Sequence, residues 1–184
     1  IAAPTAGLHF TPELLDNLAA VGVTMARVTL HVGAGTFRPV ATERLEDHPM
    51  HAERYTLDPA NAEIINTSIE NGGHVIPVGT TSVRTLETVA LGRRVEAGSG
   101  TTRLFIRPGF RFQVTDAMMT NFHLPRSTLL ALVAAFAGLD TIRAAYQHAI
   151  EQRYRFYSYG GCDVDSVTGP DDVDHSSPGA KKRP

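Results

Sequence analysis

The sequence predicts an α/β fold: a layered domain in which short, mostly buried strands alternate with helices. Three observations lead there. From Ile76 to Glu87 an apolar run ends at Gly79, the hydroxyl residues Thr80, Thr81 and Ser82 follow, and Val83, Leu86 and Ala90 then recur at helical spacing, the pattern of strand, tight turn and helix. From Val23 to Val32 the side chains alternate, with Ala26, Val28, Leu30 and Val32 on one face and Arg27, Thr29 and His31 on the other, which is a strand's period of two. The pairs Thr11-Pro12 and Asp58-Pro59 each place an N-cap before a proline in the first helical turn.

Taken in order, the chain opens on a loop of small residues that carries Thr5 and His9 up to the first helix. Thr11, Pro12 and Glu13 start that helix, Leu14, Leu15 and Leu18 supply its buried stripe, and Gly22 ends it. The strand of Val23 to Val32 follows; its polar face is either a site wall or an ordinary half-exposed surface. Gly33-Ala34-Gly35-Thr36-Phe37 is a flexible loop that lets backbone approach a ligand, although it lacks the third glycine of a dinucleotide site. Around Glu46-Asp47-His48-Pro49-Met50-His51 two histidines and two carboxylates suggest a metal, but Pro49 opposes the helix that would align His48 with His51.

The second helix runs from Asp58-Pro59 through Ala62, Ile65 and Ile69 to Asn71-Gly72-Gly73, and a short buried strand from His74 to Val78 feeds the Thr80 turn. That turn offers free amides and hydroxyls to a carboxylate, phosphate or sugar; the plain alternative is that Thr80 or Thr81 only caps the helix. Gly92 to Thr102 has turn composition and reads as a solvent loop. Leu104 to Ile106 and Phe110 to Val114 read as two strands joined by a turn at Pro108-Gly109. Asn121 and His123 lie in a polar stretch between apolar ones, so they are hydrogen-bonded in the core or belong to a site. Leu129 to Ala137 is apolar on every side and predicts a central helix begun by Ser127 or Thr128; after Gly138, Asp140 caps a last helix that runs to about Arg153. Arg153-Tyr154-Arg155-Phe156-Tyr157-Ser158-Tyr159 interleaves cations with aromatics, either a platform for single-stranded nucleic acid or aromatics closing the core edge beneath wet arginines. From residue 161 to 184 there is little to bury, and a disordered tail is expected.

The 184 residues suffice for one domain with a substantial core. With 17 basic and 19 acidic side chains, a net charge of -2 neither demands nor excludes a nucleic-acid partner, so any such contact has to be a local patch. Cys162, the single cysteine, excludes an internal disulfide and fits a reducing, cytoplasmic setting. The Leu129 to Ala137 run is far short of the ~20 residues that span a bilayer, so no membrane partner is expected. A start on Ile1 rather than Met, inside an organised motif, suggests a piece of a longer protein.

Five segments carry a resemblance: Ala-Pro-Thr-Ala-Gly-Leu-His-Phe from Ala3, Thr-Leu-His-Val-Gly-Ala-Gly-Thr-Phe from Thr29, Val-Gly-Thr-Thr-Ser-Val-Arg from Val78, Thr-Asn-Phe-His-Leu-Pro from Thr120 and Tyr-Arg-Phe-Tyr-Ser-Tyr-Gly from Tyr154. In this order they resemble the S-adenosylmethionine:tRNA ribosyltransferase-isomerase family of queuosine biosynthesis, over residues 1 to 160. The resemblance implies a cytoplasmic transferase that moves the ribosyl part of S-adenosylmethionine onto 7-aminomethyl-7-deazaguanine in tRNA, giving epoxyqueuosine and releasing adenine and methionine. It implies no metal or other cofactor, S-adenosylmethionine being a substrate. The chain corresponds to the carboxyl-terminal α/β part, lacking the inserted β-barrel domain of family members. After Gly160 the sequence departs from the family's pattern, and a monomer is the expected state.

The sulfonium acidifies the neighbouring 5′ carbon of the ribose, so a base is needed, together with groups that hold ribose hydroxyls as adenine leaves. His31, His123 and His9 are the candidate bases, because histidine titrates near neutrality. Thr80, Thr81 and Ser82, with Thr5, Thr29 and Asn121, are candidates to bind ribose or the methionine carboxylate; Arg84 would be the charged clamp, oriented by Glu87 one helical turn on. Arg153, Tyr154, Arg155 and Tyr159 are the candidate tRNA contacts.

Overall fold

A computed structural model describes residues 5–33 and 40–156 and the backbone of Cys162–Ser166. The fold is α/β, with two small antiparallel sheets and helices packed on them. After a short 3-10 helix (Thr5–His9) the order is α1 (Pro12–Ala20), β1 (Thr29–His31), β2 (Glu53–Leu57), α2 (Pro59–Glu70), α3 (Thr80–Val89), β3 (Gly98–Thr102), β4 (Ala117–Asn121), α4 (Thr128–Ala137), α5 (Leu139–Glu151) and β5 (Cys162–Ser166).

Helix starts follow their local chemistry. Thr11 accepts the Leu14 amide ahead of Pro12, Asp58 accepts the Asn61 amide ahead of Pro59, and Ser127 accepts the Leu130 amide. Gly138, at φ 87, separates α4 from α5 and is itself the N-cap of α5, so Asp140 sits inside the first turn rather than at the cap. The stripe expected on α1 is only half covered: Leu15 and Leu18 are partly buried, Leu14 is 38% exposed, and no residue of α1 is fully buried.

The first sheet has the order β1-β2-β3. Only Thr29–His31 of the longer expected strand is paired, with Thr29 opposite Thr56 and His31 opposite Arg54. Contrary to the loop expected from Gly92 to Thr102, Gly98–Thr102 is a strand paired along all of β2. Its Gly-Ser-Gly-Thr-Thr composition hides it, because the strand is made by its partner: Gly100 lies against the Tyr55 ring, where a Cβ would come within 2.9 Å of the phenol oxygen. The inward face of β2, with Glu53 and Leu57 buried, looks onto α3, and Leu57, Ala62, Ile65, Leu86, Val89 and Val114 form one core beneath it.

A second core joins Val83 of α3 to Met118, Leu132, Val133, Phe136 and Ile142, so α4 is the central helix its composition predicts. The expected strand from His74 to Val78 is reduced to a parallel bridge between Val78 and Met119, with the carbonyls of Val75 and Pro77 accepting the amides of Asp116 and Met119. Pro77 has no amide to continue a ladder. The segments 104–106 and 110–114 do not pair as strands; the amides of Gln113, Val114 and Thr115 go instead to the Glu87 carboxylate. β4, unrecognised in the sequence, takes β5 as its antiparallel partner, with Asn121 opposite Cys162. An unpaired tail from residue 161 therefore does not hold for Cys162–Ser166, while residues 167–184 lie outside those described.

Candidate functional site

The turn at Gly79 brings three distant segments together. Gly79 is the N-cap of α3 at φ 86, a conformation that favours glycine, and its amide donates to the Met119 carbonyl at 2.7 Å. Thr80 and Thr81 therefore lie within the first helical turn, and neither caps it. Among the described residues no side chain caps the first amides of α3, while the Ser82 hydroxyl donates back to the Val78 carbonyl at 2.9 Å. Thr80 is buried and Thr81 and Ser82 are half-buried. Ala6, 2% exposed, packs beside Gly79 and so seats the amino-terminal 3-10 helix against this turn.

From the same 3-10 helix, the Thr5 hydroxyl donates to Asn121 Oδ1 at 2.9 Å, and Asn121 Nδ2 lies 3.3 Å from His9 Nε2. Thr5, His9 and Asn121 thus form one hydrogen-bonded group at the end of β4, and Met119, two residues earlier in the same strand, holds Gly79. Beyond it, His123 Nε2 is 3.0 Å from the Thr120 hydroxyl, and the His123 amide donates to the Tyr146 phenol oxygen at 2.7 Å. Burial lowers the His123 pKa to about 4, so this imidazole is neutral at pH 7 and a weak proton acceptor.

Other candidates are placed elsewhere. Thr29 and His31 are exposed on the outward face of the first sheet, opposite the face that meets α3. Arg84 is 3% exposed, paired with the Glu53 carboxylate, and donates from Nε to the Leu104 carbonyl at 3.3 Å. Glu87 does not orient Arg84; it accepts the amides of Gln113 (2.8 Å), Val114 (3.2 Å) and Thr115 (3.0 Å) and the Thr115 hydroxyl (2.7 Å). Both are anchored within the core, which removes the solvent access an open clamp requires. His48 packs edge-on to Phe105 with ring centroids 6.0 Å apart, and His51 is exposed.

At the carboxyl-terminal end of α5, Arg153 takes a left-handed φ of 56, in the position helices usually give to glycine. That turn leaves Arg153 and Arg155 exposed and lays Tyr154 against Phe122, with centroids 6.2 Å apart, while Phe156 packs 5.2 Å from the same ring. Two exposed cations therefore flank an aromatic cluster built on the residue between Asn121 and His123. Tyr159 lies outside the described residues.

Sequence reasoning missed Glu53, Thr120 and Tyr146. Glu53 had a visible signal: it shares the inward phase of Tyr55 and Leu57, where a carboxylate needs a buried partner. Thr120 stands three residues before His123, but Tyr146 gave no sign beyond its place on an amphipathic helix.

The queuosine biosynthesis protein family matches residues 1–164. An S-adenosylmethionine:tRNA ribosyltransferase-isomerase of Thiobacillus denitrificans is 58% identical over 160 residues, which are 87% of this chain and 46% of that protein. The protein of the same name from Dechloromonas aromatica is 55% identical over 170 residues, 92% of this chain and 48% of its own length. The crystal structure of an S-adenosylmethionine tRNA ribosyltransferase from Thermotoga maritima superposes with a TM-score of 0.70 at 43% identity, over 86% of this chain and 50% of that one. The chain thus spans about half the length of the relatives it matches. On the match from residue 1 to 164, together with these identities, the chain belongs to the queuosine biosynthesis protein family, whose relatives are named as tRNA ribosyltransferase-isomerases.

Proposed function

We propose that this chain carries the ribosyl-donor pocket of a cytoplasmic enzyme that transfers and isomerises the ribosyl part of S-adenosylmethionine onto 7-aminomethyl-7-deazaguanine in tRNA. The products are epoxyqueuosine, adenine and methionine; S-adenosylmethionine acts as substrate, no further cofactor takes part, and the working unit is a monomer. One observation carries the reading: Thr5, His9 and Asn121 meet in a hydrogen-bonded group beside the open first turn of α3. Hydroxyl and amide groups of that kind suit ribose hydroxyls and a carboxylate, and the uncapped helix start favours the anion.

In this reading His9 takes the proton from the acidified 5′ carbon. His123 is too weakly basic for that role, and His31 lies on the other face of the sheet. Thr80, Thr81 and Ser82 hold the donor, and the exposed Arg153 and Arg155 beside Tyr154 receive tRNA phosphates near the extruded base. The test is incubation of the chain with S-adenosylmethionine and substrate tRNA, reading adenine release. Because the chain spans about half of its relatives, a module that binds tRNA or nucleoside without turnover is the second reading, and binding with no adenine would select it.

A further inference from the structure

The outward face of the first sheet takes no part in the proposed ribosyl-donor pocket. Alternation along the strands points Thr29 and His31 of β1, Arg54 and Thr56 of β2, and Ser99 and Thr101 of β3 away from α3, and all six are exposed. The register sets them in two rows across the strands, His31-Arg54-Thr101 and Thr29-Thr56-Ser99, with the Thr56 and Ser99 hydroxyls 2.9 Å apart. Arg103, one residue past β3, keeps the phase of Thr101 and is exposed as well.

These rows hold no carboxylate, in a chain with 19 acidic and 17 basic side chains. Asp58, which shares their phase just beyond β2, is turned to the start of α2, where it accepts the Asn61 amide at 2.9 Å and the Asn61 side-chain amide at 2.7 Å. Among the described residues Arg54 and Arg103 form no ion pair, whereas Arg44, Arg93, Arg94 and Arg107 elsewhere on the surface each do. Cations and hydroxyls without a neutralising acid fit a polyanion, and the guanidinium fork suits phosphate. The strands present no exposed ring, because Tyr55 packs against the core on the inward side. Bases have nothing to stack on here, so the match is to a phosphate backbone rather than to unpaired bases. An anionic membrane fits less well, since no large apolar side chain of the three strands is exposed to enter lipid.

We propose that the outward face of the β1-β2-β3 sheet is a second RNA surface, on which Arg54 and Arg103 hold backbone phosphates of a base-paired stem and the Thr56 and Thr101 hydroxyls donate to the same backbone. The RNA partner rests on the tRNA reading above; the anion surface itself does not. Arg153 and Arg155, beside their aromatic cluster, suit the unpaired target loop, and the ring-free sheet adds a grip that does not depend on sequence.

The test is binding of the full chain to tRNA, and to an RNA hairpin of unrelated sequence, from about 50 to 200 mM salt. Arg54→Gln/Arg103→Gln is expected to weaken both by about tenfold and to reduce the slope of log affinity against log salt by roughly two. Thr101→Glu, which sets a carboxylate opposite Arg54 and leaves every arginine in place, is expected to weaken both by about threefold or more, and decides if the double variant does not fold. Arg143→Gln removes one exposed charge from α5 and is expected to leave both affinities within about twofold. Wild-type affinity and slope in the double variant, an equal loss in Arg143→Gln, no RNA binding by the wild type, or a preference for anionic vesicles over RNA overturns the proposal. A wild-type chain that binds RNA through this face but releases no adenine keeps the surface and defeats the ribosyl-transfer reading. Adenine release with undiminished RNA binding in the sheet variants does the reverse.

Discussion

The Thr5 hydroxyl donates to Asn121 Oδ1 at 2.9 Å across 116 positions of sequence, fixing the amino-terminal 3-10 helix to the end of β4. Thr5→Val keeps the shape and removes the donor. It is expected to cost about 1 kcal/mol, as for an ordinary hydrogen bond, and to lower adenine release more than that small loss of folded protein explains. Denaturant titration beside single-turnover adenine release measures both; turnover that declines only in step with the folded fraction would make Thr5 a structural strut.

The histidines separate by their surroundings. His9→Ala is expected to lower kcat by about a hundredfold or more, the scale of a lost general base. His31→Ala, on the outward sheet face, is expected to leave kcat within about threefold of wild type. A full-length relative offers the stricter version of the same assay, and near-normal turnover in the His9, His31 and His123 alanine variants together would remove histidine from the proton-transfer step.

Much of this was legible because it is local. Thr11, Asp58 and Ser127 cap the helices that follow them, and the uniformly apolar α4 is the central helix. Legibility failed where a distant partner decides. Gly98–Thr102 has no apolar period and becomes a strand only by lying along β2. Phe110 to Val114 has a strand's alternation, yet its last amides face a carboxylate on α3. For the site, chemistry could nominate Thr5, His9 and Asn121, but not their contact; it also nominated Arg84 and Glu87, whose charges the core uses.

Acid stability should carry the mark of His123. Its folded pKa of about 4 lies below the ordinary 6.5, so between these values the unfolded chain binds the proton and the folded chain does not. Stability therefore falls as pH drops from 6.5 to about 4, by roughly 3 kcal/mol in full, and this histidine contributes no slope above 6.5. His123→Asn is expected to flatten that window in urea titrations. Asp116 acts lower down: burial pushes its carboxyl up, but the Arg93 hydrogen bond, the Val75 amide and the charges of Arg93 and His74 hold it below its ordinary 3.8. Its contribution, present above the ordinary carboxylate range, is lost as pH falls through the folded value, so the His123→Asn chain should still lose that part. An unchanged slope between pH 6.5 and 4 in the variant would show that His123 is solvated.

Glu87 offers the sharpest separation of core from site. Its carboxylate, 5% exposed, is the acceptor for the Gln113, Val114 and Thr115 amides and the Thr115 hydroxyl, and these hold the segment before β4 against α3. In Glu87→Ala the Val114 and Thr115 donors lose their acceptor in a buried place, while the part-buried Gln113 amide can turn to water, so the expected cost is about 3 kcal/mol, and the melting temperature should fall by roughly 6–12 °C for a domain of this size. Glu87→Gln retains an acceptor oxygen but turns an amide nitrogen towards the same donors, and is expected to fall between alanine and wild type. If Glu87 touches no substrate, the folded fraction of Glu87→Gln should bind S-adenosylmethionine with near wild-type affinity. Calorimetric binding to the folded fraction decides: weaker binding with little loss of stability would return Glu87 to the site, whereas lost stability with intact binding leaves it as the buried strap on which the end of β4, and with it Asn121, depends.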